Sequence, residues 1–402
     1  MEEPPWLKRL NRLERCCGNP NYLLNVDFDK LVKVAEDTTN LTNFGDDSWT
    51  QYYEASLNSI KAIAHKSPLL CVILKSQLLI RLRNRLFIVQ KITENPCIKN
   101  EQIDSPIIIT GLPRSGTTIL FELLNQDPDL RAPLGYETIQ TPLSKDGLAR
   151  NNNYRKEIAE CLFDLNMDIA PNLREMHDNR NELPAECAEI MTNALTFPHP
   201  KIDAPGDYQS RISSYLDDSR YKWHKMVLQT LQHESKKSTW VLKDLFHIHF
   251  LELVFATYPN ARIIHTHRDP VSVIPSLLSL LNTMSKIYPE YKIKNIQQAI
   301  SFFEGGLKKS ISQRVMDTSL NKKIIDIQFS KLITNPKDII ESCYQKFNIE
   351  YTDETRSRIA KYIKERPREK YGKHTYNLND YGLSEKSLRK QFQFYTDYYQ
   401  IR

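Results

Sequence analysis

The spacing of apolar residues along this chain changes near residue 100. Before it, apolar positions recur at helical intervals, as in Leu57, Ile60 and Ile63. The pair Asn95-Pro96 ends this pattern, since proline breaks a helix and restricts the residue before it. We therefore expect a helical N-terminal lead-in over residues 1–100 and a separate unit over residues 101–402.

Beyond residue 100, short β-branched runs alternate with longer segments of helical spacing. The runs predict strands at 107–110, 239–243, 262–267 and 323–329. The longer segments predict helices at 117–126, 246–257, 270–284, 295–314, 336–347 and 353–365, with a mostly helical insert at about 130–235. Strands that alternate with helices of this length indicate an α/β fold with a parallel sheet and right-handed crossovers.

A glycine-framed loop follows the first predicted strand. Residues 107–118 read Ile-Ile-Ile-Thr-Gly-Leu-Pro-Arg-Ser-Gly-Thr-Thr, so Gly111 and Gly116 frame the loop. Strand, glycine loop and helix in this order build a phosphate cradle, because backbone N–H groups and a helix N-terminus face the anion. The spacing matches the nucleoside-triphosphate loop, except that Thr117 replaces its lysine and Arg114 lies within the loop. An ordinary glycine turn before a helix is the other interpretation.

Further basic residues stand where later strands end. Lys243 closes one predicted strand, and Arg268 follows another. Because parallel strands end at the same edge of a sheet, we expect both residues to share one crevice with the loop. A guanidinium fixed at a strand end suits a phosphate. His247 lies four residues after Lys243 and suits either proton transfer near neutral pH or a helix-cap or core position.

The loop sequence Gly-Leu-Pro-Arg-Ser-Gly-Thr-Thr resembles the 5′-phosphosulfate loop of sulfotransferases, which use 3′-phosphoadenosine 5′-phosphosulfate (PAPS) as sulfuryl donor. Three later segments are similar to the same family: Trp-Val-Leu-Lys-Asp-Leu-Phe-His-Ile-His at 240–249, the Thr-His-Arg-Asp-Pro stretch within 262–278, and Arg-Glu-Lys-Tyr-Gly-Lys-His at 368–374. The resemblance implies a P-loop-like, three-layer sulfotransferase fold with a parallel central sheet over residues 101–402.

The resemblance also implies a role for each matching residue. Arg114 would hold the 5′-phosphate and the bridging oxygen, Lys243 would approach the sulfuryl oxygens, and His247 would act as the base. Arg268 and Ser276 would hold the 3′-phosphate. The donor-binding residues implied are Gly111, Pro113, Arg114, Ser115, Gly116, Thr117, Thr118, Arg268, Ser276, Arg368, Lys370, Gly372 and Lys373. We expect no metal requirement, because lysine or arginine can replace Mg²⁺ at the bridging oxygen.

The acceptor side is less well marked. Glu137 and the segment containing His177, Asp178, Glu182 and Glu186 resemble parts of the family that line the acceptor pocket. His177 or Glu137 could replace His247 as the base, whereas the acidic residues also fit a solvated helix. A cluster of carboxylates would favour a cationic or polyhydroxylated small molecule, sulfated on a hydroxyl or on an amine or guanidine nitrogen.

Composition narrows the partners and the compartment. The net charge of +6 is mild and suits an anionic cofactor better than a nucleic-acid surface. The seven cysteines are odd in number and scattered, so we expect neither disulfides nor zinc, and a reducing compartment. The N-terminus lacks a secretory pattern, and the most apolar segment, 69–80, is too short to cross a bilayer. We therefore expect a cytoplasmic protein without a membrane partner, of unknown oligomeric state.

The leading hypothesis is a PAPS-dependent sulfotransferase that releases 3′-phosphoadenosine 5′-phosphate. A nucleotide kinase or NTPase of related fold is one alternative, and it predicts a lysine at position 117 and an acidic Mg²⁺ ligand at a strand end. A non-catalytic nucleotide-binding protein is the other. It would keep the cradle without the basic residues that transfer requires.

Overall fold

The computed structural model has a central sheet of five parallel strands among the residues it describes. These residues are 4–16, 27–63, 68–139, 152–173, 181–193, 218–235, 239–288, 291–365 and 377–401. The strands are β1 (Ile107–Gly111), β2 (Leu130–Arg131), β3 (Thr239–Lys243), β4 (Arg262–His267) and β5 (Ile324–Gln328). They lie in the order β2-β3-β1-β4-β5, so the strand that leads into the glycine loop is central.

The strand register brings the predicted donor residues to one edge of the sheet. Ile109 of β1 lies opposite Lys243 of β3, and Gly111 lies opposite Thr266 of β4. The glycine loop, Lys243 and Arg268 therefore all lie at the carboxyl ends of neighbouring strands, where open α/β sheets bind ligands.

Helices precede, connect and follow the strands of the sheet. Before and around the glycine loop they are α1 (Pro5–Cys16), α2 (Phe28–Thr39), α3 (Thr50–Ile63), α4 (Pro68–Glu94), α5 (Thr117–Leu124) and α6 (Gly135–Ile139). Next come α7 (Asn152–Ile169), α8 (Cys187–Asn193), α9 (Ser219–His233), α10 (Leu251–Thr257), α11 (Pro270–Met284) and α12 (Ile296–Met316). The last are α13 (Leu320–Lys323), α14 (Phe329–Thr334), α15 (Pro336–Phe347), α16 (Asp353–Glu365), α17 (Glu385–Gln391) and α18 (Gln393–Tyr399).

Alternate residues of the central strand point into two different cores. Ile108 belongs to a cluster with residues of α9 to α12, whereas Ile107 and Ile109 join α5, α15 and α16 on the other side. Successive side chains of a strand face opposite sides of the sheet, so both faces are covered by helices. The predicted three-layer α/β architecture is confirmed.

The N-terminal helices have their own core and are joined to the sheet domain by a buried arginine. Residues of α2, α3 and α4 form one apolar cluster around Tyr53. Arg85 of α4 lies against the rings of Trp49 and Trp223, with its guanidinium carbon 5.7 and 4.3 Å from their centroids. Trp223 belongs to α9. The domain boundary near residue 100 stays a prediction.

Several elements differ from the sequence-based prediction. The helix predicted at 246–257 is a 3₁₀ turn (Leu245–His249) followed by α10, because Asp244 caps the turn and His249 is packed on Phe302. The insert contributes a strand, β2, at the edge of the sheet. Helices α13, α14, α17 and α18 had no prediction.

Candidate active site

The glycine loop is shaped for close approach by an anion. Gly111 has φ +147°, and a Cβ there would lie 2.5 Å from the backbone oxygen of Thr266. Gly116 has φ +92°, and a Cβ there would lie 2.9 Å from Leu332. Only glycine fits both positions, because other residues would be strained and would collide. The first N–H groups of α5 lack helical acceptors, so they face outward as anion donors.

Hydrogen bonds fix the loop between the two central strands. The Ser115 hydroxyl is bonded to Thr266 Oγ1 at 2.6 Å and donates to the Leu112 carbonyl. Arg114 adopts φ +63°, a left-handed conformation that costs energy in a residue with a side chain. Strain of this kind is concentrated at ligand sites, which agrees with the predicted role of Arg114.

Arg268 is bound directly to the glycine loop. Its Nη1 donates to the Arg114 carbonyl at 2.7 Å, and its guanidinium lies 4.1 Å from the centroid of the Phe329 ring. Asp269 caps α11 by accepting from the Val271 amide at 3.0 Å. Ser276, buried on α11, lies two turns further along this helix. The two predicted phosphate sites are therefore adjacent.

Lys243 lies between the glycine loop and Glu186. Its ammonium is buried, donates to Thr118 Oγ1 at 2.9 Å, and is paired with Glu186 Oε1 at 2.6 Å. From sequence, Glu186 is expected only as one of several residues of the acceptor pocket. Lys243 and Glu186 are far apart in sequence, so no local pattern indicates their contact.

Asp244, next to Lys243, is buried and has a raised pKa. Burial, with a smaller contribution from the negative charge of Glu186, raises the pKa of this carboxyl to about 7. Its Oδ1 accepts from the Phe246 amide at 2.8 Å, which holds the 3₁₀ turn that carries His247. A proton on Asp244 near neutral pH lowers the negative charge beside Lys243.

His247 is buried in the layer of α9. Its Nδ1 is bonded to the hydroxyl of Tyr221 at 2.8 Å, and its Nε2 has no partner among the residues that the structure describes. Burial lowers the pKa of His247 to about 3, with a smaller contribution from His224. The imidazole is therefore neutral at physiological pH and has little affinity for a proton.

The other predicted acceptor residues occupy separate places. Glu137 Oε1 accepts from Arg131 at 2.6 Å and Oε2 accepts from the Leu134 amide at 2.9 Å, which favours a role in holding this turn. Glu182 is exposed at its tip and paired with Lys156. His177 and Asp178 lie outside the described residues. So do the predicted donor-binding residues Arg368, Lys370, Gly372 and Lys373.

A buried histidine pair supports the strand end behind Arg268. His267 Nε2 is bonded to Asp326 Oδ1 at 2.9 Å, and the His265 ring lies beside the His267 ring with 4.0 Å between their centroids. These three groups have the donor atoms of a metal site. Arg314, however, donates to both Asp326 oxygens at 2.7 Å, so a guanidinium already neutralises this carboxylate. The cluster joins β4, β5 and α12 and reaches α18 through Tyr399.

Comparison with known proteins identifies the family of this chain. The model of the sulfotransferase family fits residues 106–353, which is more than half of the chain. The chain belongs to the sulfotransferase family. The predicted family and fold class are thereby confirmed.

Two curated relatives and two solved structures are similar to this sulfotransferase. The omega-hydroxy-beta-dihydromenaquinone-9 sulfotransferases Stf3 of Mycobacterium bovis and Mycobacterium tuberculosis are each 24% identical over 266 residues, 61% of this chain and 63% of theirs. The chain thus matches less than two thirds of the length of these relatives. Sulfotransferase STF9 from Mycobacterium avium (TM-score 0.74) and STF1 from Mycobacterium tuberculosis (0.69) are 22% identical and share the fold. The alignments cover 94% and 91% of this chain and 99% and 98% of theirs, respectively.

A largely apolar channel, made of two adjoining cavities, lies beside the glycine loop. The inner cavity is lined by Pro113 of the loop and by Glu186. Its other walls are mostly apolar and include Leu183, Leu245, Phe246, Leu277, Leu281 and Phe303. The outer cavity is lined by Ile80, Leu162, Met167, Leu173 and Tyr288, and also by the polar side chains of Gln77, Arg81 and Asn166. Phe163, Glu189 and Met284 line both cavities, so the two adjoin at these side chains, and the inner one reaches the glycine loop.

Proposed function

We propose that this chain transfers a sulfuryl group from PAPS to the hydroxyl of a largely apolar small molecule. One observation carries the proposal. The buried ammonium of Lys243 contacts Thr118 of the glycine-loop helix and Glu186 of the apolar channel. The predicted donor cradle and the apolar channel thus meet at one cation.

The residues of the glycine loop fit the 5′-phosphate end of PAPS. Gly111 and Gly116 leave the space that a Cβ would fill, and the N–H groups at the start of α5 supply donors for the 5′-phosphate. Arg268 would hold the 3′-phosphate with Ser276. The position of Thr117, where a triphosphate enzyme has lysine, agrees with a donor that has no γ-phosphate.

In this proposal the reaction is an in-line displacement at sulfur. The acceptor oxygen forms a bond to sulfur, the bond between sulfur and the oxygen of the 5′-phosphate breaks, and the electron pair stays with that phosphate. Lys243 and Arg114 stabilise the negative charge that develops there. The hydroxyl proton passes to the Glu186 carboxylate. Sulfuryl transfer of this kind depends mainly on positioning and electrostatics.

We assign the base role to Glu186 in preference to His247. Glu186 lines the channel and adjoins Lys243, whereas His247 is buried against Tyr221. A histidine whose pKa is lowered to about 3 is poorly matched to take a proton near neutral pH. The assignment of His247 as base stays a prediction that its surroundings do not favour.

An apolar acceptor agrees with the channel better than the cationic or polyhydroxylated molecule expected from sequence. The carboxylates that suggested a cation are largely paired, Glu137 with Arg131 and Glu186 with Lys243. The relative Stf3 is an omega-hydroxy-beta-dihydromenaquinone-9 sulfotransferase, and an omega-hydroxyl is a hydroxyl at the end of a chain. We propose the same class for this chain, with the hydroxyl at Glu186 and the apolar chain along the channel.

Transfer of radiolabelled sulfate from PAPS to a long-chain terminal alcohol tests the proposal. The wild-type chain is expected to label the alcohol and to leave its methyl ether unlabelled. Glu186→Gln should lower kcat about a hundredfold or more, because it removes the base and keeps the shape. His247→Asn should lower kcat less than about tenfold. No transfer to any alcohol, or the reverse order of the two variants, would contradict the function or the base assignment, respectively.

A further inference from the structure

The first helix of the chain is basic and amphipathic. The twelve residues of α1 contain Lys8, Arg9, Arg12 and Arg15 and one acidic residue, Glu14. Tryptophan and leucine recur between them at helical spacing. A helix of this pattern can pack its apolar face on the protein and turn its basic face to an anionic surface.

The apolar face of α1 packs on the wall of the outer cavity. Leu7 is buried in one cluster with Met167 and Leu173, and Trp6 packs against the same cluster. Met167 and Leu173 also line the outer cavity of the apolar channel. The helix therefore lies beside the end of the channel that is farther from the glycine loop.

The basic face of α1 is exposed, and so is one residue of its apolar side. Arg9 and Arg12 are exposed, and Leu10, which lies one turn from Trp6 and Leu7, is 41% exposed. An anionic lipid surface attracts each basic side chain, and its headgroup boundary accepts the leucine. Nucleic acid would match the arginines, but its phosphates offer no comparable place for the leucine. The combination of charge and apolar surface favours a bilayer.

We propose that α1 docks this chain on an anionic membrane surface and holds the outer end of the apolar channel against the bilayer. The proposal rests on the proposed function in one respect, since the channel is taken to admit an apolar acceptor. Such an acceptor is held in the bilayer, so docking would shorten its path to the channel. This inference departs from the expectation, made from sequence, that the chain has no membrane partner.

Co-sedimentation with vesicles tests the docking without any need for sulfuryl transfer. The wild-type chain should partition into phosphatidylcholine vesicles that contain phosphatidylglycerol, and much less into phosphatidylcholine alone. Arg9→Ser with Arg12→Ser should lower the partition coefficient about thirtyfold at low salt, since each basic residue contributes about fivefold. Equal binding to both kinds of vesicle, or equal binding by the double variant, would overturn the proposal.

A matched control removes two charges from a different surface. Lys337 and Lys346 are exposed on α15, in the layer on the opposite face of the sheet from α9 to α12. Changing both to serine should leave the partition coefficient within about twofold of wild type. A loss equal to that of the Arg9/Arg12 variant would mean that net charge, and not α1, governs binding, and would overturn the proposal.

An activity assay separates this proposal from the proposed function. The Arg9/Arg12 variant should lose transfer to an alcohol embedded in anionic vesicles and keep wild-type transfer to the same alcohol in neutral detergent micelles. Equal loss in both media would overturn the delivery role of α1. A wild-type chain that binds anionic vesicles but transfers no sulfate in either medium would contradict the proposed function and leave the docking supported.

Discussion

The residues of the glycine loop hold backbone angles that few side chains tolerate. Gly111, Arg114 and Gly116 all have positive φ values, at +147°, +63° and +92°. Energy stored in such angles must be offset by contacts around the loop, such as the bond from Arg268 to the Arg114 carbonyl. Residues that are common elsewhere in proteins therefore form this site only in combination.

Gly111→Ala should destabilise the chain and abolish binding of 3′-phosphoadenosine 5′-phosphate. The added methyl group would lie 2.5 Å from the Thr266 oxygen, so the loop must move. We expect a loss of about 2–3 kcal/mol in unfolding free energy. Denaturant unfolding and calorimetric titration measure the two effects.

Gly382→Ala is the control for that experiment. Gly382 also has a positive φ, +64°, but a Cβ there would meet nothing within 4 Å. It should cost about 1 kcal/mol from backbone strain alone and leave ligand binding unchanged. If both variants bound the ligand like wild type, the loop would not be the donor site.

Asp244→Asn should change how stability depends on pH. Folding raises the pKa of Asp244 from 3.8 to about 7, so its contribution to stability is full below about pH 4 and is lost as the pH rises through 7. The variant keeps a capping side chain and has no such loss. The unfolding free energy of the variant, relative to that of wild type, should therefore rise by about 1.4 kcal/mol for each pH unit between about 4 and 7. A constant difference between the two from about pH 4 to 7 would contradict the raised pKa.

At the scale of elements, buried charge pairs hold the strand ends together. Asp326 of β5 accepts two hydrogen bonds from Arg314 of α12 and one from His267 of β4. These contacts support the end of β4, from which Arg268 extends. The pKa of Asp326 is held below its ordinary value by the Arg314 and His267 hydrogen bonds, which outweigh the opposing effect of its burial.

Asp326→Asn should cost about 3 kcal/mol of unfolding free energy, because it leaves the buried Arg314 without its counter-charge. We take the low end of the usual range because the Asp326 side chain is 35% exposed. Chemical denaturation measures the loss. Glu354→Gln, which breaks an exposed pair with Arg358, should cost at most about 0.5 kcal/mol. Equal losses of unfolding free energy in the two variants would show that the buried network stabilises the fold no more than an exposed ion pair does.

The sequence predicted the elements that local patterns determine. The runs at 107–110, 239–243 and 262–267 are strands, and each contains the β-branched residues that buried parallel strands favour. Strand β2 has two residues, too few for any pattern to indicate. The predicted helix at 246–257 is divided because Asp244 caps a 3₁₀ turn at its start and His249 packs on Phe302 of α12.

The candidate site could be predicted only in part from the sequence, because some of it depends on contacts between distant segments. Gly111, Arg114 and Arg268 are recognisable because their loops follow strands. The pairing of Glu186 with Lys243 is a tertiary contact, and the apolar channel is assembled from α4, α7, α8 and α11. No local period along the chain indicates which side chains of separate helices will face one cavity.

At the scale of the whole molecule, the sheet domain carries the predicted donor cradle, and the N-terminal helices help to form the apolar channel. Ile80 of α4 lines the outer cavity, and Arg85 of the same helix is buried between Trp49 and Trp223. None of the described helices is both long enough and apolar enough to cross a membrane. The N-terminal residues thus line part of this channel and are not only a lead-in.

Thermal unfolding with nucleotides tests the central claim, that the glycine loop and Arg268 bind the two ends of an adenosine bisphosphate donor. At a hundredfold excess over Kd, 3′-phosphoadenosine 5′-phosphate should stabilise the wild-type chain by about 3 kcal/mol, with or without EDTA. Arg268→Ala should lose most of that stabilisation. Stabilisation by ATP with Mg²⁺ and none by 3′-phosphoadenosine 5′-phosphate would contradict the account.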